Sequence, residues 1–264
     1  MKLKLLVSVL ALWPVLSMGA IKREAVEYRD GETALQGWLV YDDAVQGKRP
    51  GVVIYPEWWG LTEYPRHRAE MLAKLGYVAF AADMYGKDVT TDNPEKAAEL
   101  SAPLRDDREL MRRRAMLAVE QIRKSERVNA SRVAAIGYCF GGTCVLELAR
   151  MGADLAGVVS FHGGLDTSKP AESRQVKAKV LVLTGAADPM VPTEQIVEFG
   201  GEMISAGADW QVNVYSGAKH AFTNPEADKY NLPPVGYDKQ SDRRSWSAMR
   251  TFLNEVVPLP RKKK

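Results

Sequence analysis

The chain has 264 residues and a net charge of +3, with its 36 basic and 33 acidic residues interspersed. That balance excludes the one-sided basic footprint of a nucleic-acid binder. Arg261-Lys262-Lys263-Lys264 reads as a solvated basic tail, and the length suits one domain with a sizeable core over residues 21–264.

Residues 1–20 read as an address. Lys2 and Lys4 form a basic start, and Leu5 to Leu16 is an apolar stretch too short to span a bilayer comfortably. Ser17-Met18-Gly19-Ala20 offers cleavage after Gly19 or Ala20. The pattern is that of a secretory signal peptide. The mature protein is therefore expected to be exported, periplasmic or secreted, and free of the membrane; an uncleaved anchor is the alternative. Residues 24–29 and 33–41 alternate like half-exposed strands around Asp30-Gly31, which predicts an antiparallel hairpin. Further strands are predicted at 51–55, 77–81, 132–136, 156–161, 179–184 and 210–215. Several are continuously apolar, as strands buried on both faces are. Helices are predicted at 64–75, 94–100, 103–124, 142–151, 193–205 and 239–257. In the third of these, Leu104, Met111, Ala115, Ala118 and Ile122 form one stripe. Asp106 and Asp107 fall in its first turns and Arg123 and Lys124 in its last, where the helix dipole favours them. The alternation predicts an α/β fold: a mostly parallel central sheet, helices on both faces, and the antiparallel hairpin at the N-terminal edge.

Gly137-Tyr138-Cys139-Phe140-Gly141-Gly142 ends an apolar strand and opens a helix. It has the form of a nucleophile elbow, with cysteine where serine is usual. A thiol there needs a base to take its proton and an acid to orient the base, in the chain order nucleophile, acid, histidine. Of three histidines, His220 follows the last predicted strand and is the candidate base. His162 follows an earlier strand and reads as a hydrogen-bonded structural histidine; His67, between two arginines on a helix, reads as surface. Asp188 is the only carboxylate in the loop 185–192 and is the candidate acid, ahead of Asp166, which follows the preceding strand. An oxyanion hole would use the N–H of Phe140 and that of Trp58, in Pro56-Glu57-Trp58-Trp59-Gly60. The other cysteine, Cys144, lies five residues on in the helix, which places its Cα roughly 8 Å from that of Cys139. A disulfide needs less than about 7 Å, so Cys144 reads as a small core residue.

Taken together, the Pro56-Glu57-Trp58-Trp59-Gly60 loop, Asp83-Met84-Tyr85, the Gly-Tyr-Cys-x-Gly-Gly elbow, the Asp188 loop and His220-Ala221-Phe222 resemble the dienelactone hydrolase family of the α/β-hydrolase superfamily. The resemblance covers nearly the whole chain after residue 20. It implies hydrolysis of a small-molecule ester or lactone through a thiol acyl-enzyme, with nucleophile Cys139, acid Asp188, base His220, a pocket carboxylate at Glu57, and no cofactor or metal. A carboxylate beside a thiol also raises the thiol's pKa, which suggests that Glu57 keeps Cys139 quiescent. Two arginines that clasp a substrate carboxylate in the family are replaced here by Lys87 and Asn224. Lysine lacks the bidentate fork and asparagine lacks the charge. Lys87, Tyr85, Trp59 and Asn224 are carried forward as substrate contacts, and Trp58, Tyr138 and Phe222 as further pocket aromatics. A monomer is the expectation, with a dimer the alternative. Competing functions are a broader carboxylesterase or thioesterase, a non-catalytic binding protein on this scaffold, and a thiol redox protein using both cysteines.

Overall fold

The computed structural model describes residues 19–172 and 174–260. The expected signal segment, apart from Gly19 and Ala20, and the basic tail lie outside them. Strands β1 (Ile21–Asp30), β2 (Thr33–Asp42), β3 (Arg49–Tyr55), β4 (Val78–Ala81), β5 (Val128–Tyr138), β6 (Gly157–Phe161), β7 (Lys179–Gly185) and β8 (Trp210–Tyr215) form one sheet in the order β1-β2-β4-β3-β5-β6-β7-β8. The pairs β1–β2 and β2–β4 are antiparallel and all others are parallel. The hairpin thus sits at the N-terminal edge, where the turn residues Asp30-Gly31 put it.

The central strands are apolar throughout because both faces are covered. Val53 and Tyr55 of β3 and Val133 and Ala135 of β5 point into one core layer, while Val52, Ile54, Ala134 and Ile136 point into the other. This is the period of two that a strand imposes. The first layer is filled by α3 (Arg108–Lys124) and α4 (Phe140–Arg150), the second by α1 (Glu63–Leu75) and α6 (Lys239–Val256). The remaining helices are α2 (Pro94–Asp106) and α5 (Thr193–Ser205), with a short 3-10 turn at Ala227–Tyr230. Among the described residues no helix is long and apolar enough to cross a membrane.

The long helix expected at 103–124 is two helices. Pro103 lies inside α2, and Asp107 leaves helical geometry at φ −110° and ψ 93°. Its side chain accepts hydrogen bonds from the N–H groups of Glu109 and Leu110, so it caps a new helix instead of continuing the old one. The apolar stripe survives the break because Leu104 and Met111 enter the same core layer. Helix α4 starts at Phe140, two residues before the expected position, with Cys139 as its N-terminal cap residue.

Candidate active site

The site lies at the C-terminal ends of the parallel strands, where such sheets place their ligands. At the end of β5, Cys139 adopts φ 53° and ψ −115°, a strained conformation for a side-chain-bearing residue. The turn is tight enough that a Cβ on Gly141 would stand 2.3 Å from the Tyr55 carbonyl oxygen, so only glycine fits there. The Cys139 N–H is held from two sides. It donates to the Phe161 carbonyl at 2.9 Å and to His162 Nδ1 at 3.1 Å.

His162 is wholly buried. Because Nδ1 accepts, its proton belongs on Nε2, which faces Thr223 Oγ1 at 2.7 Å. Burial, then the charges of His220 and Arg68, hold its pKa well below the usual histidine range, so it stays neutral. It is the structural histidine expected from sequence. His67 is exposed, also as expected.

The loop after β7 brings Asp188 to His220, with Asp188 Oδ2 2.8 Å from His220 Nδ1, both buried. The other carboxylate oxygen accepts from the Met190 N–H at 2.9 Å. His220 Nε2 is buried and has no hydrogen-bond partner among the described residues. Burial by itself disfavours the imidazolium, but the Cys139 charge and the Asp188 carboxylate outweigh it and push the His220 pKa up to about 10. Asp166, the rival acid, is exposed and pairs with Arg108 at 3.2 Å. Both cysteines are free thiols, and Cys144 is fully buried in the core, its pKa pushed up by that burial.

Cys139, His220, Glu57, Trp58, Trp59 and Asn224 line one cavity of about 420 Å³. Glu57 is buried, and its Oε2 accepts a 2.7 Å hydrogen bond from Asn224 Nδ2. Burial raises the Glu57 pKa to about 7, against the smaller opposing effects of Asn224, His220 and Arg68. The Trp58 N–H, in the turn after β3, donates to no backbone acceptor among the described residues, and the Phe140 N–H donates to none outside α4. Tyr85 donates from its hydroxyl to the Trp58 carbonyl at 3.0 Å, and its ring packs 5.7 Å from that of Phe140. A larger open groove of about 760 Å³, lined by Glu24, Lys48 and Arg127 among others, contains none of these groups.

Several expected substrate contacts lie elsewhere. Lys87 is outside the cavity: its N–H bonds the Ala34 carbonyl at the hairpin, and its ammonium pairs with Glu27 of β1. Tyr85 braces the Trp58 loop and is absent from the cavity wall. Tyr138 stacks on Phe161 and Phe222 packs against His162, so both are core. Asn224 does reach the cavity, with its amide engaged by Glu57. Trp59 lines it and stacks on Tyr230 at 4.0 Å.

The sequence reading missed two parts of the wall. One is α2, which contributes Ala98, Ser101, Ala102 and Arg105; the other is Ala227, Tyr230, Leu232, Pro234 and Val235. The signal for the second was present. Residues 216–238 form a long connection between β8 and α6, and connections that long are usually functional. Among the described residues no group of His, Cys, Asp and Glu side chains could hold a metal ion.

The dienelactone hydrolase family profile matches residues 35–257. Protein usf of Aquifex pyrophilus is 27% identical over 89% of this chain and 99% of its own length. A protein of a Bradyrhizobium species named as a probable 2-oxo-3-(5-oxofuran-2-ylidene)propanoate lactonase is 29% identical over 70% of this chain and 78% of its own. Among solved structures, a dienelactone hydrolase-like promiscuous phosphotriesterase from metagenomic libraries superimposes with a TM-score of 0.86 at 38% identity, covering 90% of this chain and 100% of that one. The strand order, the elbow and the breadth of the match together establish that the chain is a hydrolase of ester or lactone bonds belonging to the dienelactone hydrolase family.

Proposed function

We propose that the protein hydrolyses a small-molecule ester or lactone by acyl transfer to Cys139. The observation that carries this reading is the geometry of His220. Asp188 holds one ring nitrogen at 2.8 Å, and the other is buried without a partner in the cavity that Cys139 lines. The thiolate Sγ attacks the carbonyl carbon, and the resulting oxyanion is met by the N–H groups of Phe140 and Trp58. As the tetrahedral intermediate collapses, the C–O bond to the leaving group breaks and the His220 imidazolium gives its Nε2 proton to the departing oxygen. Water then attacks the thioester while His220 takes its proton, releasing the acid and the Cys139 thiolate. Asp188 orients the ring throughout.

The test is intact-protein mass spectrometry after a short pulse with activated esters and unsaturated lactones, beside a Cys139→Ala control. An acyl adduct mapping to Cys139 and absent from the control is expected. No adduct and no turnover on any member would remove the acyl-transfer reading. A phosphotriester belongs in the panel, because the 38% identical structure is named for that activity. We also propose export by cleavage after Gly19 or Ala20, which N-terminal sequencing of the protein recovered from its native compartment would check. A mature chain still beginning at Met1 would refute it.

A further inference from the structure

His162 is not a reacting group in the chemistry just described, and it does not line the cavity. Yet it touches both reacting side chains' residues. Its Nδ1 accepts from the Cys139 N–H at 3.1 Å, and its ring stands edge-on to that of His220 with centroids 5.4 Å apart. It follows β6 at φ 40°, next to the elbow residue at φ 53°. One hydrogen bond thus joins two strained residues, and it exists only while Nδ1 carries no proton. A proton there would set a ring N–H against the Cys139 N–H and leave a buried donor without an acceptor.

The far side of the ring decides where the proton sits. Nε2 lies 2.7 Å from Thr223 Oγ1. That hydroxyl has one other partner among the described residues, the Tyr64 hydroxyl of α1 at 2.7 Å. The Tyr64 oxygen also accepts from Arg68 Nε at 3.2 Å. With His162 donating to Oγ1, the Thr223 hydroxyl proton is left for Tyr64, so the hydrogen bonds run in one direction from Cys139 to Tyr64. Bonds in such a buried series strengthen one another. Arg68 anchors the far end. It is buried, and its Nη2 donates to the Thr223 carbonyl at 2.7 Å and to Asp242 of α6. Its guanidinium carbon lies within 5.7 Å of the ring centroids of Tyr64, Tyr138 and Trp246. Thr223 itself is three residues after His220, so one residue ties the loop of the base to the amide of the nucleophile.

We propose that Thr223, held by Tyr64 and Arg68, is a positioning residue for the nucleophile: it fixes the His162 proton on Nε2, and the bare Nδ1 then holds the Cys139 N–H and the aim of the thiol. The effect on rate rests on the reading of Cys139 as nucleophile; the tautomer rests on the hydrogen-bond geometry alone. Burial and the charges of His220 and Arg68, which keep His162 neutral, agree with it. Neither His162, Thr223, Tyr64 nor Arg68 lines the cavity, so the cost of breaking the series falls on turnover and not on substrate binding.

The experiment compares wild-type protein with Thr223→Val, Thr223→Ser and Tyr64→Phe on p-nitrophenyl butyrate. Thr223→Val keeps the shape and drops the hydroxyl. Its kcat is expected to fall about tenfold or more, with KM within about twofold of wild type. Thr223→Ser keeps the hydroxyl and should hold kcat within about threefold of wild type, and Tyr64→Phe should fall between. A second arm needs no turnover. The chain has only three histidines, so NMR of protein carrying isotope-labelled histidine can assign each ring. Wild-type His162 is expected to be protonated at Nε2 and bare at Nδ1. Thr223→Val should show a mixture of both tautomers and a displaced Cys139 amide resonance. If Thr223→Val fails to fold, Tyr64→Phe carries both arms. A wild-type proton on Nδ1 would overturn the assignment. So would a folded Thr223→Val protein with unchanged kcat or an unchanged His162 tautomer, or equal losses in Thr223→Ser and Thr223→Val. The expected tautomers, found in a wild-type protein that turns over no ester, would leave the hydrogen-bond series standing and refute the acyl-transfer reading instead.

Discussion

Glu57 sets the pH response of the pocket. Among the described residues its carboxylate accepts a hydrogen bond only from the neutral amide of Asn224, which does not fully compensate the loss of water. Its folded pKa is raised to about 7 from 4.5. Below pH 4.5 both folded and unfolded states hold the proton and the group costs nothing. As the pH rises towards 7 the unfolded carboxyl ionises first, and folded stability falls by about 3 kcal/mol. Glu57→Gln is isosteric and still accepts from Asn224, so it should flatten the plot of melting temperature against pH over that window. Glu57 lines the same cavity as Cys139 and His220, so kcat/KM should change as the pH passes through 7 in the wild type and lose that limb in Glu57→Gln. An unchanged profile in both measurements would show that Glu57 does not titrate there. At this scale Cys139, Asp188 and His220 were legible because residue type and chain order together leave few candidates. Arg105 and Thr223 were not, because nothing in a helix face or a loop threonine says which cavity it will meet.

Among the elements, the strand ends hold the strain. Cys139 at φ 53°, His162 at φ 40° and Ala221 at φ 57° are all non-glycine residues in the left-handed region, and all lie at or beside the site. Such conformations cost on the order of 1–3 kcal/mol each and persist only where surrounding contacts over-determine them. Here the Cys139 N–H is held by Phe161 and His162, and the His220 N–H by the Pro234 carbonyl at 3.0 Å. The break between α2 and α3 shows where sequence reading stops at this level. An aspartate near a helix start is favourable both inside the first turn and as a cap, so composition could not separate one long helix from two. Backbone geometry decides it. Asp107→Ala removes the cap bonds to Glu109 and Leu110 and should destabilise the protein by about 1 kcal/mol in urea unfolding. A change below about 0.3 kcal/mol would mean that water replaces the cap.

Across the whole molecule, the architecture was readable because a sheet covered on both faces writes unbroken apolar runs into its strands. The wall over the site was not, since residues 216–238 follow neither helix nor strand period and are placed by contacts such as Trp59 on Tyr230. The same double covering has a consequence for Cys144. Its thiol is wholly inside the layer between the sheet and α3, while Cys139 opens to the cavity. A small alkylating reagent added to native protein should therefore consume one sulfhydryl and stall. In a Cys139→Ala background the remaining one should react at least about 10³-fold more slowly than in urea, since only molecules that have come apart offer it. Comparable rates would mean that α4 detaches by itself. If the lag is present, Cys144 acts as a built-in clock: its slow loss times how often the whole sheet and its helices separate, without the active site entering the count.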